Sequence, residues 1–190
     1  VKTIQKSISL FFVSLLMIMS LSMCGQSEPA EDHFKRGNEL SLSGEFEEAV
    51  AEYEQALEDE PENVDVLSNL GVAYYNLGQL DKAIEQYSKA IEIAPKDADI
   101  RSNLAAAYVQ QYQTSGVSDQ LESALEEYQT AVELDTSLAE AFFGLGVVYA
   151  LLGRNDDAIQ AFEEFQGLDT GQDSQATDNA EEYLKLLRGQ

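Results

Sequence analysis

The side chains able to do chemistry are few and poorly placed for it. The 190-residue chain holds one histidine, His33, one cysteine, Cys24, and 35 Asp and Glu against 11 Lys and Arg. Nucleophilic catalysis by a serine would have to draw its base from His33, and a Cys/His metal framework needs more ligands than the sequence supplies. Neither the G-x-x-x-x-G-K-S/T phosphate loop nor the G-x-S-x-G nucleophile elbow occurs. Carboxylates can pair as general acid and base, but here they fall on helix faces expected to be solvated, where nothing shifts their protonation. They also lack the spacing of an EF-hand. The sequence therefore predicts no catalysis, no cofactor and no metal.

What the chain offers instead is a period. Gly37, Leu40, Gly44, Phe46, Ala49, Tyr53, Ala56 and Pro61 return 34 residues later as Gly71, Tyr74, Gly78, Leu80, Ala83, Tyr87, Ala90 and Pro95. A period of this length marks small supersecondary units stacked in a row, none able to bury its apolar face alone. Each unit reads as two helices. Leu67, Leu70, Tyr74 and Leu77 share one helical face, residues 78–81 break the pattern, and Ala83, Ile84, Tyr87, Ala90 and Ile91 form the face of a second helix. Pro95 ends it, because proline offers no N–H and disfavours helix in Ala94. Gly71 and Ala83 are placed where the two helices could cross closely, with Tyr74 and Tyr87 filling the grooves beside them.

This pattern resembles the tetratricopeptide repeat family, whose signature is a large residue, Leu-Gly, Tyr, a small-aromatic-small series and Pro. The second unit carries Leu67, Leu70-Gly71, Tyr74, Ala83, Tyr87, Ala90 and Pro95; the third carries Leu104-Ala105, Tyr108, Ala124, Tyr128 and Ala131; the fourth carries Leu145-Gly146, Tyr149, Ala158 and Phe162. The resemblance implies an all-α superhelix of four helix-turn-helix units over residues 30–63, 64–97, 98–138 and 139–172. Tyr108 and Tyr149 are 41 residues apart, so the third unit is seven longer. The surplus lies in the polar run 110–118 and is read as an extra turn on each helix or as a longer loop. Residues 167–176 read as loop. A capping helix is expected from Asp178, with Ala180, Tyr183, Leu184 and Leu187 on one face and Phe165 turned towards it.

The front of the chain differs in kind. Lys2 and Lys6 precede an apolar run over residues 8–23, the pattern of a signal peptide spanning 1–23, with an uncleaved signal anchor in the inner membrane as the alternative. Leu21-Ser22-Met23-Cys24 resembles a bacterial lipobox, although Met23 stands where a small residue is preferred. The resemblance implies that Cys24 receives lipid, that residues 24–29 form a tether, and that the protein is exported to the cell envelope. Gly25 after the cysteine resembles sorting to the periplasm-facing outer membrane.

The formal net charge of −24 repels phosphate backbones, so nucleic acid is not an expected partner, and membrane contact would come only from the anchor. The family resemblance places the partner-binding surface on the first helix of each unit. It implies Phe34 and Asn38 in the first, Asn69, Val72 and Tyr75 in the second, Asn103 in the third, and Phe143 and Val147 in the fourth. The asparagines could bond an extended peptide backbone, or serve helix packing; the aromatic and aliphatic residues could pocket apolar side chains. Phe34, Asp99 and Asn103 stand where chaperone-tail-binding relatives place cations, so a terminal carboxylate finds little to hold it. The expected function is a non-catalytic scaffold binding a protein or peptide partner. The alternative is a self-associating, homo-oligomeric assembly factor.

Overall fold

The computed structural model describes residues 29–168 and 174–189. The expectations for the signal peptide, for Cys24 and for most of the tether fall outside these residues. Nine helices and no strands occur among the described residues: α1 (Ala30–Leu42), α2 (Phe46–Asp59), α3 (Val64–Asn76), α4 (Leu80–Ile93), α5 (Ala98–Ser115), α6 (Asp119–Leu134), α7 (Ala139–Leu151), α8 (Asn155–Leu168) and α9 (Ser174–Arg188). Consecutive helices pack as hairpins, α1 with α2 and so on to α7 with α8, and each second helix packs on the first helix of the next unit. First helices of successive units also touch, whereas no pair of second helices packs to the same extent. The first helices are thus drawn together on the inner side of the stack, and that side is concave.

Local chemistry sets the ends of the helices. Asn63 and Asp97 cap α3 and α5 by accepting the N–H of Val66 at 3.2 Å and of Ile100 at 3.0 Å. Within the hairpins, Gly78 has φ +69 and Gln79 N–H donates to the Tyr74 carbonyl at 2.9 Å, a Schellman closure that only a left-handed residue permits cheaply. Ala94, ahead of Pro95, has already left the helix at φ −120.

The crossings inside the units are locks of a small residue and a ring. A Cβ on Gly71 would stand 2.6 Å from Cε1 of Tyr87, and one on Gly146 would stand 2.8 Å from Phe162. Gly37 receives Tyr53 in the same way. At Gly71 the residue closing the gap is therefore the ring of Tyr87. The third unit has alanine, Ala105, at this place, and its Tyr128 lies against Gly144 of the next unit.

The surplus of the third unit lies in its helices and not in a longer loop. α5 has 18 residues against 13 in α1, α3 and α7, and α6 has 16 against 14 in the other second helices. The elongation is unequal because the polar segment 110–115 stays helical through Ser115, until Gly116 turns left-handed at φ +71. At the other end, α8 runs through Leu168 and α9 begins at Ser174, four residues ahead of Asp178. Ala176 is partly buried against the core, and that packing overrides the polar composition that reads as loop. Phe162 stacks on Tyr183 of α9 at 5.0 Å between centroids, while Phe165 meets Phe143 edge-on at 5.4 Å. Phe162 thus meets the last helix through Tyr183, within a buried cluster that Phe165 shares with Ala180 and Leu184.

Candidate functional site

Of the residues assigned to the concave side from the sequence, Tyr75, Phe143 and Val147 come together. They line a cavity of about 330 Å³ between α3, α5 and α7, with Ala106, Val109, Gln110, Gln113, Tyr128, Glu140 and Gly144. A second cavity of about 530 Å³ adjoins it, sharing Gln113, Phe143 and Val147 and closed on the far side by Asn179, Glu182, Tyr183 and Leu186 of α9. The two form one trough. The last residue that α5 shares in register with the other first helices, Gln110, and one residue of its elongation, Gln113, line the wall. Phe143 is held from behind by Phe162 at 5.8 Å and by Phe165, so its ring is fixed before any ligand arrives. Leu186 is an exposed apolar residue at 58 %.

The remaining sequence candidates do not join the trough. Phe34 packs beside Tyr53 with centroids 6.2 Å apart, and Val72 is partly buried on the core. Asn38 and Asn69 face each other: the Asn38 Oδ1 accepts from Asn69 Nδ2 and from the Tyr53 hydroxyl, both at 2.8 Å. That carbonyl is occupied within the fold, and burial raises the Tyr53 pKa. Asn103 makes no side-chain hydrogen bond among the described residues. Replacing Asn38 by alanine should destabilise the array by about 1–2 kcal/mol, because two donors lose one half-buried acceptor. Asn69→Ala should cost less, about 1 kcal/mol, since it removes a single donor. Denaturant melts of both variants check this; equal melts of Asn38→Ala and the parent would refute it.

The junction that opens the first cavity is the counterpart of the one Asn38 and Asn69 close. Counted through the repeat, Asn38 corresponds to Ala106 and Asn69 to Gly144, while Tyr53 corresponds to Tyr128. Alanine and glycine offer the phenol nothing. Tyr128 is only 6 % exposed, and its hydroxyl makes no hydrogen bond among the described residues. Burial, with Tyr75 and Glu140 adding, keeps it protonated well above the ordinary phenol range. The Oε1 of Gln110 is buried without a partner. Burial also raises the Tyr75 pKa.

Sequence reasoning missed the contribution of α9, Gln110 and Tyr128 to this surface. The signals were present: Leu186 lies off the apolar stripe of its helix, and Ala106 and Gly144 depart from the asparagine positions of the first two units. His33, the sole histidine, is tied to Glu52 at 2.6 Å between α1 and α2, away from the trough. No group of three or more His, Cys, Asp or Glu able to hold a metal occurs among the described residues, and no described helix is long and apolar enough to cross a membrane.

Three family models, described as tetratricopeptide or TPR repeats, match residues 34–98, 118–153 and 140–168. No curated protein sequence matches. Among solved structures, MamA is similar with TM-score 0.71 at 26 % identity, over 84 % of this chain and 81 % of that one. YrrB, described as a TPR protein with an unusual peptide-binding site, is similar with TM-score 0.68 at 25 % identity, over 86 % and 78 %. TTC0263, a thermophilic TPR protein of Thermus thermophilus, shares the fold with TM-score 0.68 at 24 % identity, over 83 % and 80 %.

Proposed function

This chain carries tetratricopeptide repeats, and on that premise we propose that it is a non-catalytic scaffold. It holds a peptide or helix of a partner protein in the trough between α3, α5, α7 and α9. The observation that carries the reading is the convergence of Tyr75, Phe143 and Val147 with an exposed leucine of α9 on one concave surface. Cavities of this size accept anchoring side chains, and aromatic anchors dominate binding energy when desolvated. The peptide-binding site ascribed to YrrB supports a peptide ligand for the same fold.

The scaffold works in the bacterial cell envelope, tethered by lipid on Cys24. Support for this part is the basic start, the apolar run and the lipobox-like Leu21-Ser22-Met23-Cys24. Self-association by end-to-end stacking is disfavoured at the C-terminal end, where α9 already covers the face of α8.

One experiment addresses partner and anchor together. The full chain is purified from detergent-solubilised membranes with whatever it holds, and the mass of its N-terminal peptide is measured. Tyr75→Ala should lower partner recovery about tenfold while leaving the thermal melt within a few degrees of the parent, as expected for loss of one aromatic anchor. Undiminished recovery would remove the trough as the binding surface. An N-terminal peptide mass showing unmodified Cys24 would remove the lipid tether.

A further inference from the structure

The trough has acid without base. Glu140 and Glu182 line it, and no lysine or arginine does. Three arginines near it in sequence are engaged elsewhere: Arg101 with Glu127 at 2.6 Å and with the Pro95 carbonyl, Arg154 with Asp157 at 2.7 Å and over the Tyr149 ring, Arg188 with Glu163; Lys185, next to Leu186 on α9, is exposed and lines neither cavity. In the first cavity the Oε1 of Gln110 is buried without a partner, and the Tyr128 hydroxyl, which makes no hydrogen bond within the described residues, opens onto the cavity. Buried polar groups in folded proteins are nearly always satisfied, so the Gln110 oxygen calls for an explanation.

We propose that this cavity is a receptor for a cationic side chain, arginine in preference to lysine, presented by the partner segment beside an apolar residue that enters the adjoining cleft under α9. The inference rests on the trough being the partner-binding surface and adds the chemistry it selects. Gln110 Oε1 is an obligate acceptor, a tyrosine hydroxyl can accept, and the Glu140 carboxylate accepts only. A carboxylate and a buried amide oxygen that no lysine or arginine of the chain meets in this cavity suit a ligand group that is cationic and all donor. A guanidinium carries five N–H donors in a plane and lies flat on aromatic faces, here those of Tyr75 and Phe143. The ammonium of lysine is more strongly hydrated and loses more on entering. The net charge of −24 attracts such a segment from a distance. Next to this pocket, Phe143, Val147, Tyr183 and Leu186 offer an apolar seat, with Glu182 at its rim.

The test pans a random peptide display library against the full chain and then measures fluorescein-labelled copies of the enriched peptides. Enriched peptides should share an arginine beside an apolar residue. Exchanging that arginine for citrulline, which keeps the shape and loses the charge, should weaken binding at least about tenfold. Tyr128→Phe removes only the orphan hydroxyl, so the fold should melt as the parent does. Both Tyr128→Phe and Glu140→Gln should shrink the arginine-to-citrulline ratio, whereas Glu48→Gln on the exposed side of α2, which changes the net charge equally, should leave it alone. A ratio near one overturns the cationic pocket. So does a ratio that Glu48→Gln lowers as much as Glu140→Gln, because the effect is then the general field. Peptides lost on Tyr75→Ala but indifferent to citrulline leave the trough standing and remove the pocket. Enrichment of no peptide removes both.

Discussion

Phe162→Ala should destabilise the chain by about 3–5 kcal/mol and abolish partner binding, although residue 162 lines neither cavity. The ring is fully buried at 0 % exposure. It stacks on Tyr183, meets Phe143 edge-on and fills the space left by Gly146. Truncation of a buried phenylalanine carries that cost through lost transfer energy and the cavity left behind. Against the 5–15 kcal/mol stability of an ordinary domain it is a large share. The location decides the consequence. Solenoid stability is close to a sum over units and their interfaces, so damage at the last interface need not spread to the first. Hydrogen exchange should therefore show α7 to α9 losing protection while α1 to α4 keep theirs, alongside a lowered melt. Protection of α9 unchanged from the parent would show that Phe162 is not what seats it. Partner binding should fail because Phe143 loses its backing and Tyr183 and Leu186 lose their place.

That prediction also marks where reading the chain as a string stops working. The 34-residue spacing, the prolines and the paired Gly and Tyr positions make the helix-turn-helix units legible, because each is a local consequence of packing two short helices. Gly71 and Tyr87 are visible as a pair only sixteen positions apart. The trough is not local. Its walls come from α3, α5, α7 and α9, and which side chains meet across them depends on the angles between units. The family resemblance assigns Tyr75, Phe143 and Val147 to one surface, where they line a shared cavity, since all lie on first helices. It also brings Asn38 and Asn69 there, and those amides turn to each other and to Tyr53 instead. Nothing in one sequence distinguishes an amide that caps a phenol from one that waits for a peptide.

The elongated third unit shows the same boundary. Its surplus residues are polar, and polarity alone suggests a loop as readily as a helix. The residues remain helical, and Gln113 thereby extends the wall of the trough beyond the reach of the other first helices. Once the register through this insertion is settled, the substitutions of Ala106 for Asn38 and Gly144 for Asn69 become meaningful. Together they remove the groups that would have satisfied the Tyr128 hydroxyl.

Gly71→Val should destabilise the array by about 2–3 kcal/mol, against the direction that helix propensity alone predicts. Glycine inside a helix is worse than alanine by about 1 kcal/mol and valine is better than glycine, so an exposed site would gain from the change. Here the first added carbon would lie 2.6 Å from Cε1, 2.8 Å from Cδ1 and 3.0 Å from Cζ of Tyr87. That ring is 2 % exposed and sits within the core shared by the first three units, so it has no free direction in which to turn. Overpacking a fixed ring costs about 1–3 kcal/mol and occasionally more, enough to outweigh the propensity gain. The cause is separable from backbone conformation. Gly78 has positive φ and open space around it, so Gly78→Ala should cost about 1 kcal/mol through the backbone alone. The decisive measurement is a double-mutant cycle with Tyr87→Leu. A smaller side chain at 87 makes room for valine at 71, so the pair should be less destabilised than the sum of the singles by about 1–2 kcal/mol. Additive melts would mean that the clash is relieved some other way, and that the close approach of Gly71 and Tyr87 is not what sets the crossing of α3 and α4.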